Sequence, residues 1–247
     1  MARQSSFLKL EGTIGDVTFC KGANGSFARQ KGGISKSRIL NDPNFQRTRE
    51  NLAEFAKAAA ASQLLKNAFR EITLRSRDLR THNRLYALAM KVIKSDLVSP
   101  RGEREFGLGD LNLINGFHFN VNSLWSTSVF VQHTLVSTPT DLSVAFPEFI
   151  PGTKLAKPMG ASHARMFLVG TAMNLAEGTY ETNLVSSGDI EINQQPLVGF
   201  QISIPKIIIA GTIQVYAIGV EYLQVVNGGM YPLNDKTHNS AKIIFIE

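Results

Sequence analysis

The sequence predicts an α+β protein, with a basic helical N-terminal part carrying a short β-ribbon, followed by an antiparallel β-sandwich or jelly-roll-like domain. Three observations predict it. Short runs of aromatic and β-branched residues punctuated by glycine fill residues 1–40. An alanine-rich, basic stretch with apolar residues at helical spacing fills residues 41–106. From residue 107 onward, apolar and polar residues alternate in runs separated by turn residues. The expected organisation is therefore a glycine-rich ribbon arm (1–40), a basic helical segment (41–106) and an antiparallel β-sandwich (107–247).

The ribbon strands are expected at Phe7–Leu10, Val17–Cys20 and Ser26–Arg29, separated by Gly12, Gly15-Asp16 and Gly22-Ala23-Asn24-Gly25. The asparagine-glycine pair tolerates positive φ and suits a hairpin turn. Strands this short bury little, so they must lie on the rest of the chain or on another copy. A helix start follows at Asn41-Asp42-Pro43, where Asp42 can accept from first-turn amides and Pro43 suits the first helical position. Leu52, Phe55 and Ala59 keep helical spacing, and a second set, Leu65, Phe69 and Ile72, suggests a bend or restart near Ser62. A further helix from Thr81 to Ser95 places Leu85, Leu88 and Val92 on one face, and Ser99-Pro100-Arg101-Gly102 ends the helical part.

Eight strands are expected beyond Gly109: Phe117–Val121, Ser128–Val136, Leu142–Phe146, Arg165–Gly170, Tyr180–Val185, Leu197–Ile204, Gly211–Val226 and Ala241–Ile246. Val226-Asn227-Gly228-Gly229-Met230 is a strong hairpin signal. Along Gly211–Val226 both alternating sets contain apolar residues, so this strand is either central in a sandwich or part of an interface.

Composition excludes several classes. With 43% hydrophobic and 19% charged residues, a sizeable core is available and global disorder is excluded. Residues 1–6 lack the start of a secretory signal, and the longest apolar run, 207–226, is interrupted by Gly211, Gln214, Gly219, Glu221 and Gln224. No membrane is expected as a partner. A lone Cys20 suits a reducing compartment, and cytoplasmic synthesis is expected. Residues 1–106 hold 20 Lys+Arg against 10 Asp+Glu, a balance of +10; residues 107–247 hold 6 against 10, a balance of −4. Such a split fits a polyanion-binding segment, or a basic surface that docks on the acidic part of a neighbouring copy.

Candidate chemistry is sparse. Gly22-Ala23-Asn24-Gly25-Ser26 lacks the Lys-Ser/Thr ending of a phosphate-binding loop. His118, His133 and His163 form no close-spaced ligand pair with one another or with Cys20, so no metal is expected. There is no Gly-x-Ser-x-Gly elbow, and the spacing of Glu148, Glu177, Asp189 and Glu191 singles out no catalytic pair. No catalytic residue and no cofactor are expected, and the chain reads as a non-enzymatic protein. The most specific feature is basic: Arg70, Arg77, Arg84 and Lys91 recur every seven residues, with Arg75 and Arg80 between them. On one continuous helix they would form a stripe able to neutralise phosphates.

Several runs carry a resemblance: Gly12-Thr13-Ile14-Gly15-Asp16-Val17-Thr18-Phe19, Ala28-Arg29-Gln30-Lys31-Gly32-Gly33, Asn41-Asp42-Pro43 and Arg47-Thr48-Arg49-Glu50-Asn51 with Glu54-Phe55. Toward the end, Gly219-Val220-Glu221-Tyr222, Asn227-Gly228 and Tyr231-Pro232-Leu233 continue it. Together they resemble an uncharacterised protein family recurrent in Bacteroidota genomes. The resemblance covers both halves and implies neither an activity nor a site.

The functional expectation is a structural protein that self-assembles into a homopolymer such as a filament, tube or shell. Phe7, Leu8, Leu10, Val17, Phe19 and Phe27 would act as the assembly arm. The alternative is a protein that binds DNA or RNA through the basic segment, for which a virion-like coat would combine both roles.

Overall fold

The computed structural model describes residues 2–3, 10–23, 25–76, 78–233 and 236–247. The chain divides into two units, Met1–Glu50 and Asn51–Glu247, and α2 (Gln46–Ala68) runs through the boundary.

In the first unit, β1 (Ala2–Arg3), β2 (Gly12–Ile14), β3 (Val17–Gly22) and β4 (Gly25–Gln30) form an antiparallel sheet in the order β1-β4-β3-β2. Gly22 pairs with Gly25 across the β3–β4 hairpin, as the glycine spacing predicts; Asn24 lies outside the described residues. A short helix follows, α1 (Lys36–Asn41), where the sequence pattern predicts no element. The Asp42-Pro43 signal works as predicted: Asp42 caps a single 3-10 turn at Pro43–Phe45, and α2 begins directly behind it. Arg49 donates to the carbonyls of Ile39 and Asp42 and so ties α1 to the start of α2.

The second unit is built in three layers. The first holds α2, α3 (Arg70–Arg75) and α4 (Thr81–Lys94). Short pieces follow: α5 (Trp125–Ser128), β5 (Thr134–Ser137), β6 (Asp141–Ala145) and α6 (Pro151–Lys154). The long strands are β7 (His163–Asn174), β8 (Thr179–Glu191) and β10 (Ile213–Val226). Between and after them come β9 (Gln201–Pro205), β11 (Gly229–Pro232) and β12 (Ser240–Ile246). The middle layer is a five-stranded antiparallel sheet in the order β11-β10-β7-β8, with β12 also paired to β10; the third layer is a three-stranded sheet, β5-β6-β9.

Strand alternation builds both interfaces. Phe167, Val169, Val215 and Ala217 point into one core with Leu65, Phe69, Ile72, Leu85 and Ile93 of the helices. Met166, Leu168, Tyr216, Ile218, Val220 and Tyr222 point into a second core with Leu142, Val144, Ile202 and Ile204 of the smaller sheet. The two-sided apolarity of β10 thus reflects a central strand covered on both faces. Two glycines, Gly219 on β10 and Gly170 on β7, have a steric task. Gly219 lies directly across from Phe167 and Gly170 across from Tyr216. A Cβ on either glycine would fall 2.1 Å or 2.6 Å from the opposing ring. Each ring lies over a missing side chain, one on each face of the sheet.

Some expectations change. Phe117–Val121 forms no strand, only an isolated bridge from His118 to Lys242, and Ser128–Val136 contributes only β5 from Thr134. Helix α2 does not break near Ser62; the interruption falls at Phe69, whose backbone leaves the helical region. The Val226–Gly229 hairpin is as predicted, with Asn227 and Gly228 both at positive φ (50° and 78°), the geometry of a two-residue primed turn. Among the described residues, no helix is long and apolar enough to cross a membrane.

Candidate assembly arm and basic surface

In the ribbon, register decides which side chains share a face. Ile14 lies across from Val17, and Phe19 lies across from Gly12 on one side and Ala28 on the other. These residues share one face because side chains two apart along a strand, and those directly opposite, point the same way. Cys20 and Phe27 are cross-strand partners on the other face, with Thr18 and Arg29. The predicted arm residues therefore split: Val17 and Phe19 on one side, Phe27 on the other, Leu10 exposed ahead of β2, and Phe7 and Leu8 outside the described residues. Sequence reading missed Ile14 and Ala28, because Ile14 stands between two glycines and reads as turn.

Among the described residues of this unit, Ser26 is the only buried side chain. Ile14 is 65% exposed and Val17 38%. Among the described residues the ribbon buries no apolar side chain, and the face that holds Ile14, Val17, Phe19 and Ala28 also carries Lys21, Ser26 and Gln30.

The basic stripe does not form a single helix face. Ser76 adopts an extended conformation and ends α3, and α4 starts afresh after Arg80. The seven-residue repeat therefore spans the end of one helix and the start of the next rather than successive turns of one helix. Two of its arginines are turned to internal work. Arg75 Nη1 lies 2.6 Å from Oε1 of Glu221, a nearly buried carboxylate on β10, and its guanidinium lies over the Phe167 ring at 5.1 Å. Glu221 also faces Arg165 of β7 at 3.5 Å, and Arg165 in turn binds Asp189 of β8 at 2.5 Å. This chain of charges links the helical layer to three strands of the central sheet.

Arg84 Nη2 lies 2.6 Å from Asp78 Oδ2 and stacks over Phe117 at 4.8 Å. Burial acts to raise the Asp78 pKa, but the amides of Arg80 and Val121 and the Arg84 guanidinium outweigh it and hold the carboxyl below its usual value. Arg70, Arg80 and Lys91 stay exposed; Arg77 lies outside the described residues. The positive charge available to a polyanion is thus smaller and more scattered than the repeat suggests.

Helix α2 shows a second departure. Leu52 and Phe55, placed on the core face by their spacing, are 52% and 44% exposed. The residue turned inward is Glu54, which accepts from the Gly102 amide at 3.0 Å and lies 3.8 Å from Arg104. The buried side of α2 is Ala58, Ala61, Leu64, Leu65 and Ala68, so Leu52, Ala53, Phe55, Ala56, Ala59 and Ala60 face outward.

The histidines hold structural positions. Burial lowers the His118 pKa, helped by Lys242 and Arg84, and lowers that of His133, helped by Lys242. His118 Nδ1 accepts from the Trp125 amide at 3.4 Å, and the His133 ring packs edge-on to Trp125. His163 Nδ1 lies 2.9 Å from Ser162 Oγ. Among the described residues, no group of three or more His, Cys, Asp or Glu side chains is placed to hold a metal ion. Lys206 reaches Ser137 Oγ at 2.9 Å and is also ion-paired with Glu247 at 2.5 Å, so its side chain bridges the end of β5 and the C-terminal residue. Among the described residues, a surface cavity of about 420 Å³ beside the β10–β11 hairpin is lined by Gln224, Val226, Tyr231, Pro232, Leu233 and Lys236. Compared with known proteins, the chain matches no family model, no curated protein and no solved structure.

Proposed function

We propose that this protein is a non-enzymatic structural subunit that assembles with copies of itself into a filament, tube or shell, with the N-terminal ribbon as its assembly arm. The observation that carries the reading is the coreless ribbon: Ile14, Val17, Phe19 and Ala28 share one face, and no apolar side chain of that unit is buried among the described residues. A sheet of this size without a buried face is marginal in water, so a partner surface would complete it. The charge split, +10 over residues 1–106 and −4 over 107–247, supports contact between unlike parts of neighbouring copies. The two apolar faces of β10 lend the reading nothing, because both are covered within the second unit. The proposal assigns no cofactor, and it places the protein in the cytoplasm on the strength of its lone cysteine.

The test is size-exclusion chromatography with light scattering, with and without nuclease, beside electron microscopy. Particles far above 27.1 kDa that survive nuclease are expected. A monomer at micromolar concentration and ordinary salt refutes the proposal. Particles that fall apart with nuclease favour DNA or RNA as the partner, a reading to which Arg70, Arg80 and Lys91 contribute by their exposure. Removal of residues 1–33 should abolish particles and leave the second unit folded.

A further inference from the structure

Two half-buried histidines, His118 and His133, converge on Trp125, the single tryptophan of the chain. Trp125 opens α5, is 5% exposed and belongs to the core between the central and the smaller sheet. The segment that carries it is anchored upstream, where residues 116–119 run along the edge of β12. There Phe119 donates to the Ala241 carbonyl, Ile243 to that of Phe117 and Gly116 to that of Ile243. His118 lies directly across from Lys242 in this run, so the two side chains share one face.

The Trp125 amide donates to His118 Nδ1 at 3.4 Å. It is one of the amides that the first turn of a helix leaves without an internal acceptor. Only a neutral imidazole can accept there, because a second proton turns Nδ1 into a donor facing another donor. His133 reaches the same indole from the chain beyond α5. Its ring lies edge-on to Trp125 at 5.9 Å and 5.6 Å from the Phe146 ring.

The surroundings of both rings disfavour a positive charge. Lys242 of β12 acts on both, and Arg84 of α4 acts on His118 even though Asp78 engages it. From β10 comes Tyr222, a phenol whose burial pushes its pKa up and which donates to the Ser128 carbonyl. Phe130 donates to the Lys154 carbonyl while the Lys154 side chain is exposed, and the His238 carbonyl accepts from Ser123. Among the described residues, no carboxylate acts on either imidazole.

We propose that His118, His133 and Lys242 form a proton-operated latch, in which neutral imidazoles hold Trp125 and α5 against the second core and mild acid releases them. The latch is independent of the self-assembly reading. Burial first, then Lys242 and at His118 also Arg84, hold both pKa values below the ordinary 6.5. The closed state is therefore fully favoured above 6.5 and is weakened as pH falls through the lower values it imposes. Each histidine that gains a proton only on opening raises the opening constant by up to about tenfold per pH unit, and the pair by up to about a hundredfold. Opening is local because α5 is a single short turn, whereas the sheets on either side are extensively paired.

The experiment follows the emission of Trp125 in the full chain, where no second tryptophan contributes. Emission and acrylamide quenching are read from pH 8 to pH 5 beside far-UV circular dichroism. Below pH 6.5 the emission should move to longer wavelength and quenching should rise, while the circular dichroism spectrum stays the same. His118→Asn keeps a side-chain oxygen for the Trp125 amide without a titrating group, and His133→Phe keeps an aromatic ring. Each single variant should lose about half of the pH slope of opening, and the double variant should lose all of it. Lys242→Gln should reduce the extent of opening at pH 5, since a protonated imidazole is then better tolerated in the closed state. Emission that is constant from pH 8 to pH 5 in the unmodified protein would overturn the proposal. So would a double variant that responds to acid as the unmodified protein does, or an emission change that coincides with loss of the circular dichroism signal. If the double variant does not fold at pH 8, Lys242→Gln decides alone, and an unreduced response in it overturns the latch.

Discussion

Replacing Glu221 tests the charge relay that joins the helical layer to the central sheet. Its carboxylate is 3% exposed and sits 2.6 Å from Arg75 and 3.5 Å from Arg165. Glu221→Leu leaves two guanidinium groups facing one another across an apolar side chain. Removing one member of a fully buried ion pair costs about 3–5 kcal/mol, because the remaining charge loses its partner and cannot regain water. Arg75 and Arg165 keep 25% and 30% of their side-chain surface exposed, so water recovers part of that loss. Arg165 also retains Asp189. The expected cost is about 2–3 kcal/mol, which for a unit of this size lowers Tm by roughly 4–12 °C. Differential scanning calorimetry or a urea titration followed by circular dichroism would measure it. Glu221→Gln keeps the shape and one acceptor and should fall between the two. The double variant Arg75→Met with Glu221→Leu should recover much of the loss, since an apolar pair can replace a buried ion pair at little cost. A Tm change of under about 1 °C for Glu221→Leu would refute the relay as a stabilising element.

Three further outcomes are expected. Gly219→Ala drives a Cβ to 2.1 Å from the Phe167 ring, which is itself packed in the core. Overpacking of this kind costs about 1–3 kcal/mol, so thermal unfolding should come at a visibly lower temperature; an unchanged Tm would mean the ring has room to move. Burial raises the Asp96 pKa, but the amides of Glu105, Ser99 and Val98 outweigh it and bring the carboxyl to about 2. Its stabilising effect is therefore fully present above the unfolded value of about 3.9 and is lost as pH falls through about 2. Acid titration of stability in Asp96→Asn should accordingly be flatter than in the unmodified protein between pH 4 and 2, and identical slopes would contradict the assignment. Replacing Arg70, Arg80 and Lys91 together by Gln should leave Tm unchanged, whereas Arg84→Gln should lower it by freeing Asp78. If nucleic acid is bound, the triple change should also flatten the salt dependence on duplex DNA by up to about 0.9 log unit per lost contact; filter binding at two salt concentrations would read it.

Local chemistry in the sequence determined much of this fold. Period-2 alternation located β6, because a half-buried strand must alternate, and runs rich in apolar and β-branched residues bounded by turn residues located β10, β12 and parts of the other long strands. Asp42-Pro43 announced the start of α2, and Asn227-Gly228 fixed a hairpin, since both signals depend only on backbone conformation. That the ribbon strands bury little was also legible, because short strands studded with glycine enclose little; among the described residues the unit buries no apolar side chain. What depends on distant partners was not legible. Arg75 and Arg84 look like members of a surface stripe until Glu221, 146 positions further along the chain, and Asp78 are brought against them. Leu52 and Phe55 have core spacing, yet Glu54 takes the inward position because the turn at Gly102 offers an amide and Arg104 a charge. Gly219 reads as an interruption of an apolar run and Gly170 as the end of a strand, and only the cross-strand register shows that each makes room for an aromatic ring. Periodicity records that a face is apolar; which surface covers that face is decided by residues far away in the chain.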